Sequence, residues 1–90
     1  IEGEGRVLGF MSLHENRLEA LFVSSHAQGR GLGRQLLQEA KRLRTALELN
    51  VYSANERAIA FYQAGGFSTV AESHDPVTGQ QELTMRWSYN

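Results

Sequence analysis

The chain has 90 residues, a formal net charge of −1, 41% hydrophobic residues, one proline, nine glycines and no cysteine. A chain of this length fits a single domain that buries about 60–65% of its unfolded surface, and the composition excludes a disordered segment. The lack of cysteine excludes disulfides, zinc–thiolate sites and a cysteine nucleophile, and no apolar run approaches the roughly 20 residues of a membrane span.

The near-neutral charge gives no global case for a nucleic-acid partner, and a cytoplasmic location is expected. The sequence starts at Ile1 rather than Met, which reads as one part of a larger fold. The basic residues are unevenly spread. Arg30, Arg34, Lys41, Arg42 and Arg44 crowd into one segment that holds a single acid, Glu39. Two readings stand there: a solvated helix face, or a local cationic field for a polyanionic small molecule.

Val7 to Leu13 reads as a strand, His14 to Arg17 as a hairpin turn, and Leu18 to Val23 as a second strand. Gln28 to Gly33 is too glycine-rich for a helix interior. From Leu32 the period changes: Leu32, Leu36, Leu37, Ala40 and Leu43 form one face of an amphipathic helix reaching about Arg44. Leu47, Leu49 and Val51 then alternate with polar neighbours, the pattern of a half-buried strand.

Asn55 is a helix N-cap, with Glu56 as a first-turn acid. Ala58, Ile59, Phe61 and Tyr62 give a second helix, for which Gly65 is the expected left-handed C-cap. Phe67 to Ser73 and Gln81 to Tyr89 read as closing strands around a turn at Asp75 to Gly79. The order β-β-loop-α-β-α-β-β describes a mixed α/β domain covering residues 1–90.

The glycine loop carries the chemistry. Gly29, Gly31 and Gly33 permit positive φ and let an anion approach without an intervening Cβ. Successive N–H groups can point into one concavity, and the following helix adds unpaired donors and the positive end of its dipole. Arg30 and Arg34 supplement this with cations. A Walker loop fails, because Gly33 is followed by Arg34-Gln35 rather than Lys-Ser/Thr. A dinucleotide fingerprint fails as well: counted from Gly29, its third glycine falls on Arg34, and counted from Gly31, on Leu36.

Gln28-Gly29-Arg30-Gly31-Leu32-Gly33 resembles the Q/R-x-x-G-x-G/A motif of the GCN5-related N-acetyltransferase (GNAT) family. Val23 stands five residues before the Gln, where these proteins end their central strand. A second signature follows in register: Asn55-x-x-Ala58-x-x-Phe61-Tyr62, then Gly66-Phe67. The likeness extends to the bacterial YjaB-type protein-lysine acetyltransferases. It implies the acyl-CoA N-acyltransferase (GNAT) fold, a mixed, mostly antiparallel sheet with two helices. The family's first strand and two helices have no counterpart in the sequence. A sheet without those helices exposes apolar surface, so association into a homodimer is expected.

The resemblance implies acetyl-CoA as cosubstrate and acetyl transfer by direct attack of a primary amine, carried by a protein lysine, a peptide or a small molecule. The alternative is a coenzyme-binding or interaction module without catalysis. Within the resemblance, Gln28, Gly29, Arg30, Gly31, Leu32, Gly33 and Arg34 hold the pyrophosphate, Leu21, Phe22 and Val23 pair with the pantetheine arm, and Asn55, Ala58 and Tyr62 lie beside the coenzyme. A backbone N–H near Phe22 or Val23 meets the developing oxyanion. Tyr62 matches the family's acid for the departing thiolate, and its other reading is one member of a packed aromatic pair with Phe61. Glu19 is the base candidate, placed by the period of two on one strand face with Leu21 and Val23; its other reading is a surface carboxylate. His14, His26 and His74 share no ligand spacing, so no metal is expected.

Overall fold

Alternating apolar residues decide which side of each strand is buried, and the pairing carries that side across the sheet. The computed structural model describes residues 2–3, 6–7, 9–24 and 31–89. In chain order the elements are β1 (Glu2–Gly3), β2 (Arg6–Val7), β3 (Gly9–His14), β4 (Arg17–Val23), α1 (Leu32–Leu43), β5 (Ala46–Tyr52), α2 (Glu56–Ala64), β6 (Ser68–His74) and β7 (Gln81–Ser88). β1 and β2 pair with each other, and the others form a five-stranded sheet of order β3-β4-β5-β7-β6. Among the described residues, β4 and β5 are the one pair that runs parallel. A parallel pair requires a crossover, which α1 supplies.

In β5, Leu47, Leu49 and Val51 stand opposite Trp87, Met85 and Leu83 of β7, so all six share one face. Leu36, Leu37 and Ala40 form the stripe of α1 that packs against the sheet. Leu47 and Met85 are almost completely enclosed, at 1% and 0% exposure, and each such burial stabilises by about 1.5–3 kcal/mol. α2 packs Ala58, Ile59, Phe61 and Tyr62 against the same core, yet buries no residue fully.

The opposite face is divided. Toward β3 and β4 it carries Phe10 and Phe22, paired across the strands with ring centroids 5.4 Å apart and 48% and 47% exposed. Toward β5 and β7 it is polar: Glu48 accepts from Arg17 at 3.0 Å and lies 3.9 Å from Arg86, and Asn50 donates to Glu82.

Three local expectations change. The run Val7 to Leu13 is not one strand: Val7 pairs with Glu2, and pairing with β4 starts at Gly9, opposite Val23 where β4 ends. Gly65 does not adopt the left-handed conformation; its φ is −83°, and Gly66 takes the positive value, 93°. Gly65 answers a packing need instead, since a Cβ there would lie 2.7 Å from Leu37 Cδ2. The third change concerns β4. Leu13 pairs with Leu18 and Ser12 with Ala20, so Glu19 is an extra residue, a β-bulge. Leu18 and Leu21, three positions apart, consequently share the core face opposite Leu13 and Met11. The strict alternation that placed Glu19 with Leu21 and Val23 is broken there.

Candidate active site

β4 and β5 meet at one register position, Arg17 with Glu48, where Glu48 N–H donates to Asn16 C=O at 2.8 Å. Beyond it they diverge. The bulge at Glu19 lies just past this point and turns β4 aside. β5 stays paired with β7 from Ala46 to Tyr52 and β4 stays paired with β3 out to Val23, so the sheet parts between β4 and β5. The wedge that opens is flanked by Leu21, Phe22 and Val23. In the antiparallel ladder to β3, alternate residues direct their backbone groups at the partner, so either Phe22 or the Leu21 and Val23 pair presents its N–H and C=O to the wedge.

A cleft of about 740 Å³ fills this wedge. Leu21, Phe22 and Val23 form one wall. Gly31, Leu32, Gly33 and Arg34 form its end, and Ala58 and Tyr62 of α2 close the other side. Nine residues singled out in the sequence are thus brought together. Gln28, Gly29 and Arg30 lie outside the described residues. Asn55 does not line the cleft; its Oδ1 accepts from Ala58 N–H at 3.2 Å and starts α2. Glu19 is exposed at the bulge and is absent from the lining.

Gly31 caps α1 with φ 76° and no side-chain cap. The first helical bond runs from Gln35 N–H to Gly31 C=O at 3.0 Å, so the N–H groups of Leu32, Gly33 and Arg34 precede it without an intrahelical acceptor. No acid sits in this first turn, leaving the positive end of the dipole uncompensated there. Gly33 packs beside Phe61, where an added Cβ would make ordinary contact at 3.4 Å from Cζ.

Phe61, named in the second signature but not as a site residue, also lines the cleft, as does Arg57, which neither signature includes. Helical spacing would have found them. Arg57 lies one turn before Phe61, as Ala58 lies one turn before Tyr62. Among the described residues, Arg34 and Arg57 give the cleft two cations, and no carboxylate lines it. The expected cationic field is smaller than the sequence suggests. Arg42 pairs with Glu39, Lys41 donates to Gly65 C=O, and Arg44 donates to Glu15 C=O. At 1.5 Å rise per residue these lie roughly 10–15 Å along from Arg34.

Tyr62 is held by aromatic neighbours. Its ring stands edge-on to Phe61 at 5.2 Å and to Phe67 at 5.6 Å. Phe67 N–H donates to Tyr62 C=O at 2.9 Å and Gly66 N–H to Gln63 C=O at 3.0 Å, the paired bonds of a Schellman motif. Burial pushes the Tyr62 phenol above its ordinary pKa, so the side chain is a neutral proton donor at neutral pH.

An acetyltransferase (GNAT) domain model matches residues 1–69. The chain belongs to the GNAT acetyltransferase family. It is 40% identical over 87 residues to the peptidyl-lysine N-acetyltransferase YiaC of Escherichia coli K12, covering 96% of this chain and 60% of that protein. It is 36% identical over 82 residues to YjaB of the same organism, covering 91% and 56%. The solution structure of apo YjaB superposes with a TM-score of 0.86 at 29% identity, over 97% of this chain and 60% of that one. The chain therefore spans less than two thirds of the length of these relatives. Among the described residues no helix is long and apolar enough to cross a membrane.

Proposed function

We propose that this GNAT chain binds acetyl-CoA in the cleft between β4 and β5 and directs its acetyl group to a primary amine, with protein lysine as the favoured acceptor class. The observation that carries the reading is the divergence of β4 from β5 beside an uncompensated helix N-terminus. It produces a cleft with polar backbone on one wall, apolar and aromatic side chains along it, and anion-seeking groups at one end. Those groups fit a long thioester arm that leads to a pyrophosphate. The lysine acceptor is supported by YiaC and YjaB, both peptidyl-lysine N-acetyltransferases.

The coenzyme supplies an acetyl group activated as a thioester. Leu32, Gly33 and Arg34 N–H, with the Arg34 and Arg57 guanidinium groups, receive the pyrophosphate. The backbone of Leu21 to Val23 aligns the pantetheine amides, and an N–H at Phe22 or Val23 faces the carbonyl oxygen. The amine nitrogen forms the new bond to the carbonyl carbon, the C–S bond breaks, the sulfur takes the Tyr62 phenolic proton, and the second proton lost by the nitrogen returns through water to restore the phenol. Glu19, exposed at the bulge, takes the ammonium proton through water. Asn55 contributes by setting where α2 starts.

Calorimetric titration with acetyl-CoA, CoA and ATP tests the site. Acetyl-CoA and CoA bind at one site and ATP binds more weakly; equal affinity for ATP overturns the coenzyme reading. A thiol-release assay with peptidyl-lysine and polyamine acceptors tests the transfer. Binding without turnover across that panel identifies a coenzyme-binding module instead.

A further inference from the structure

α2 buries no residue fully, and a gap of about 170 Å³ separates it from α1. Its placement therefore depends on a few fixed points. One is Phe61 against Gly33; another is Gly65 against Leu37. The third is polar. Lys41 of α1 donates from Nζ to the carbonyl of Gly65, the C-cap of α2. The last turn of α2 has no basic residue of its own, so Lys41 supplies from a neighbouring helix the cation that a C-terminus favours. The same ammonium lies 5.2 Å from the centroid of the Trp87 ring, within cation–π range. Trp87 in turn abuts Gly66, whose added Cβ would be 3.3 Å from Trp87 Cδ1. Gly66 is the positive-φ residue of the turn that returns Phe67 N–H to Tyr62 C=O.

We propose that Lys41 and Trp87 form a clamp on the C-terminal end of α2 that positions the Tyr62 phenol in the cleft. Lys41 is a positioning residue: it acts through Gly65 and Gly66 on Tyr62 and touches no reacting atom. The role of this clamp in turnover rests on Tyr62 being the acid; its effect on the placement of Tyr62 does not.

Lys41 is the only lysine in the sequence, which makes the test specific. Lys41→Met keeps the apolar stem and removes the donor and the charge, whereas Lys41→Arg keeps both. The primary readout is the pH titration of the Tyr62 phenol by carbon-13 tyrosine NMR, assigned by difference from Tyr62→Phe. Lys41→Met lowers the Tyr62 titration midpoint toward that of a free phenol, near 10, as the loosened helix admits water. It also lowers kcat by about tenfold to a hundredfold, the scale of a small misplacement, and weakens CoA binding by less than it lowers kcat. Lys41→Arg returns both values toward wild type. If Lys41→Met does not fold, acetylation of Lys41 in the folded protein with acetic anhydride, followed by hydroxylamine to strip any tyrosyl ester, removes the same charge and is read the same way. An unmoved Tyr62 titration overturns the clamp whatever happens to turnover. A moved titration alongside normal turnover in Tyr62→Phe upholds the clamp and removes the acid role instead.

Discussion

Tyr62 and Phe67 stand edge to face with centroids 5.6 Å apart, because the Schellman turn between them brings Phe67 N–H back to Tyr62 C=O. The second sequence signature is thus one physical device. Asn55 starts α2, Gly66 ends it, and Phe67 packs the phenol that faces the cleft.

Gly66 is required by conformation. Its φ of 93° lies where side chains are strained, and an added Cβ would meet Trp87. Gly66→Ala should destabilise by about 1–2 kcal/mol, a fall in Tm of at least roughly 4 °C for a domain of this size. Thermal unfolding by circular dichroism reads it, and an unchanged Tm contradicts the account of the turn.

The start of α2 depends on one side-chain acceptor. Asn55→Ala removes the bond to Ala58 N–H and should cost about 1 kcal/mol, while Asn55→Asp keeps an acceptor and costs little. Urea denaturation of the two variants separates capping from loss of the asparagine as such.

At Gly9 the backbone of β4 leaves no room. A Cβ would be 2.8 Å from Phe22 C=O and 3.1 Å from Leu36 Cδ1. Gly9→Ala should destabilise by about 1–3 kcal/mol through overpacking and weaken coenzyme binding by shifting the wall that carries Phe22. Gly31→Ala meets no atom within 4 Å and acts by backbone strain alone. Paired denaturation and calorimetry on both variants check the contrast.

Tyr52 hydroxyl donates to Asp75 Oδ2 at 2.5 Å, tying the end of β5 to the hairpin between β6 and β7. This bond holds the Asp75 carboxyl below its ordinary pKa and the Tyr52 phenol above its own. For Asp75 the native pKa is depressed, so its stabilisation is present above the unfolded value near 3.9 and is lost as pH falls through the native one. For Tyr52 the native pKa is raised, so its contribution is complete below about 10 and disappears as pH rises through the native value. Tyr52→Phe should flatten the stability profile at both ends. A profile parallel to wild type from pH 2 to 5 contradicts this.

Much of the fold was legible because its periods are strong. The stripe of α1 and the alternation of Leu47, Leu49 and Val51 each admit one face, and Asn55 is an unambiguous cap. The β4 bulge was not legible. Glu19 is polar, so an extra residue there leaves no apolar side chain misplaced, and only the pairing of Leu13 with Leu18 exposes it. That one residue separates the wedge from an unbroken sheet. The site residues on contiguous segments, Leu21 to Val23 and Gly31 to Arg34, fell together as the motifs suggested. Arg57 escaped because neither signature includes it, and Lys41 because its partner carbonyl, on Gly65, lies on a different helix.

Thiol release from acetyl-CoA with a peptidyl-lysine acceptor, measured for the wild-type protein and Tyr62→Phe at equal coenzyme saturation, decides whether Tyr62 is the acid of an acetyl transfer to lysine. The wild-type protein releases thiol only with acceptor, and Tyr62→Phe loses about a hundredfold or more of turnover, as expected for removal of a general acid, with a much smaller loss of CoA affinity. Equal turnover by the two proteins would contradict the acid role.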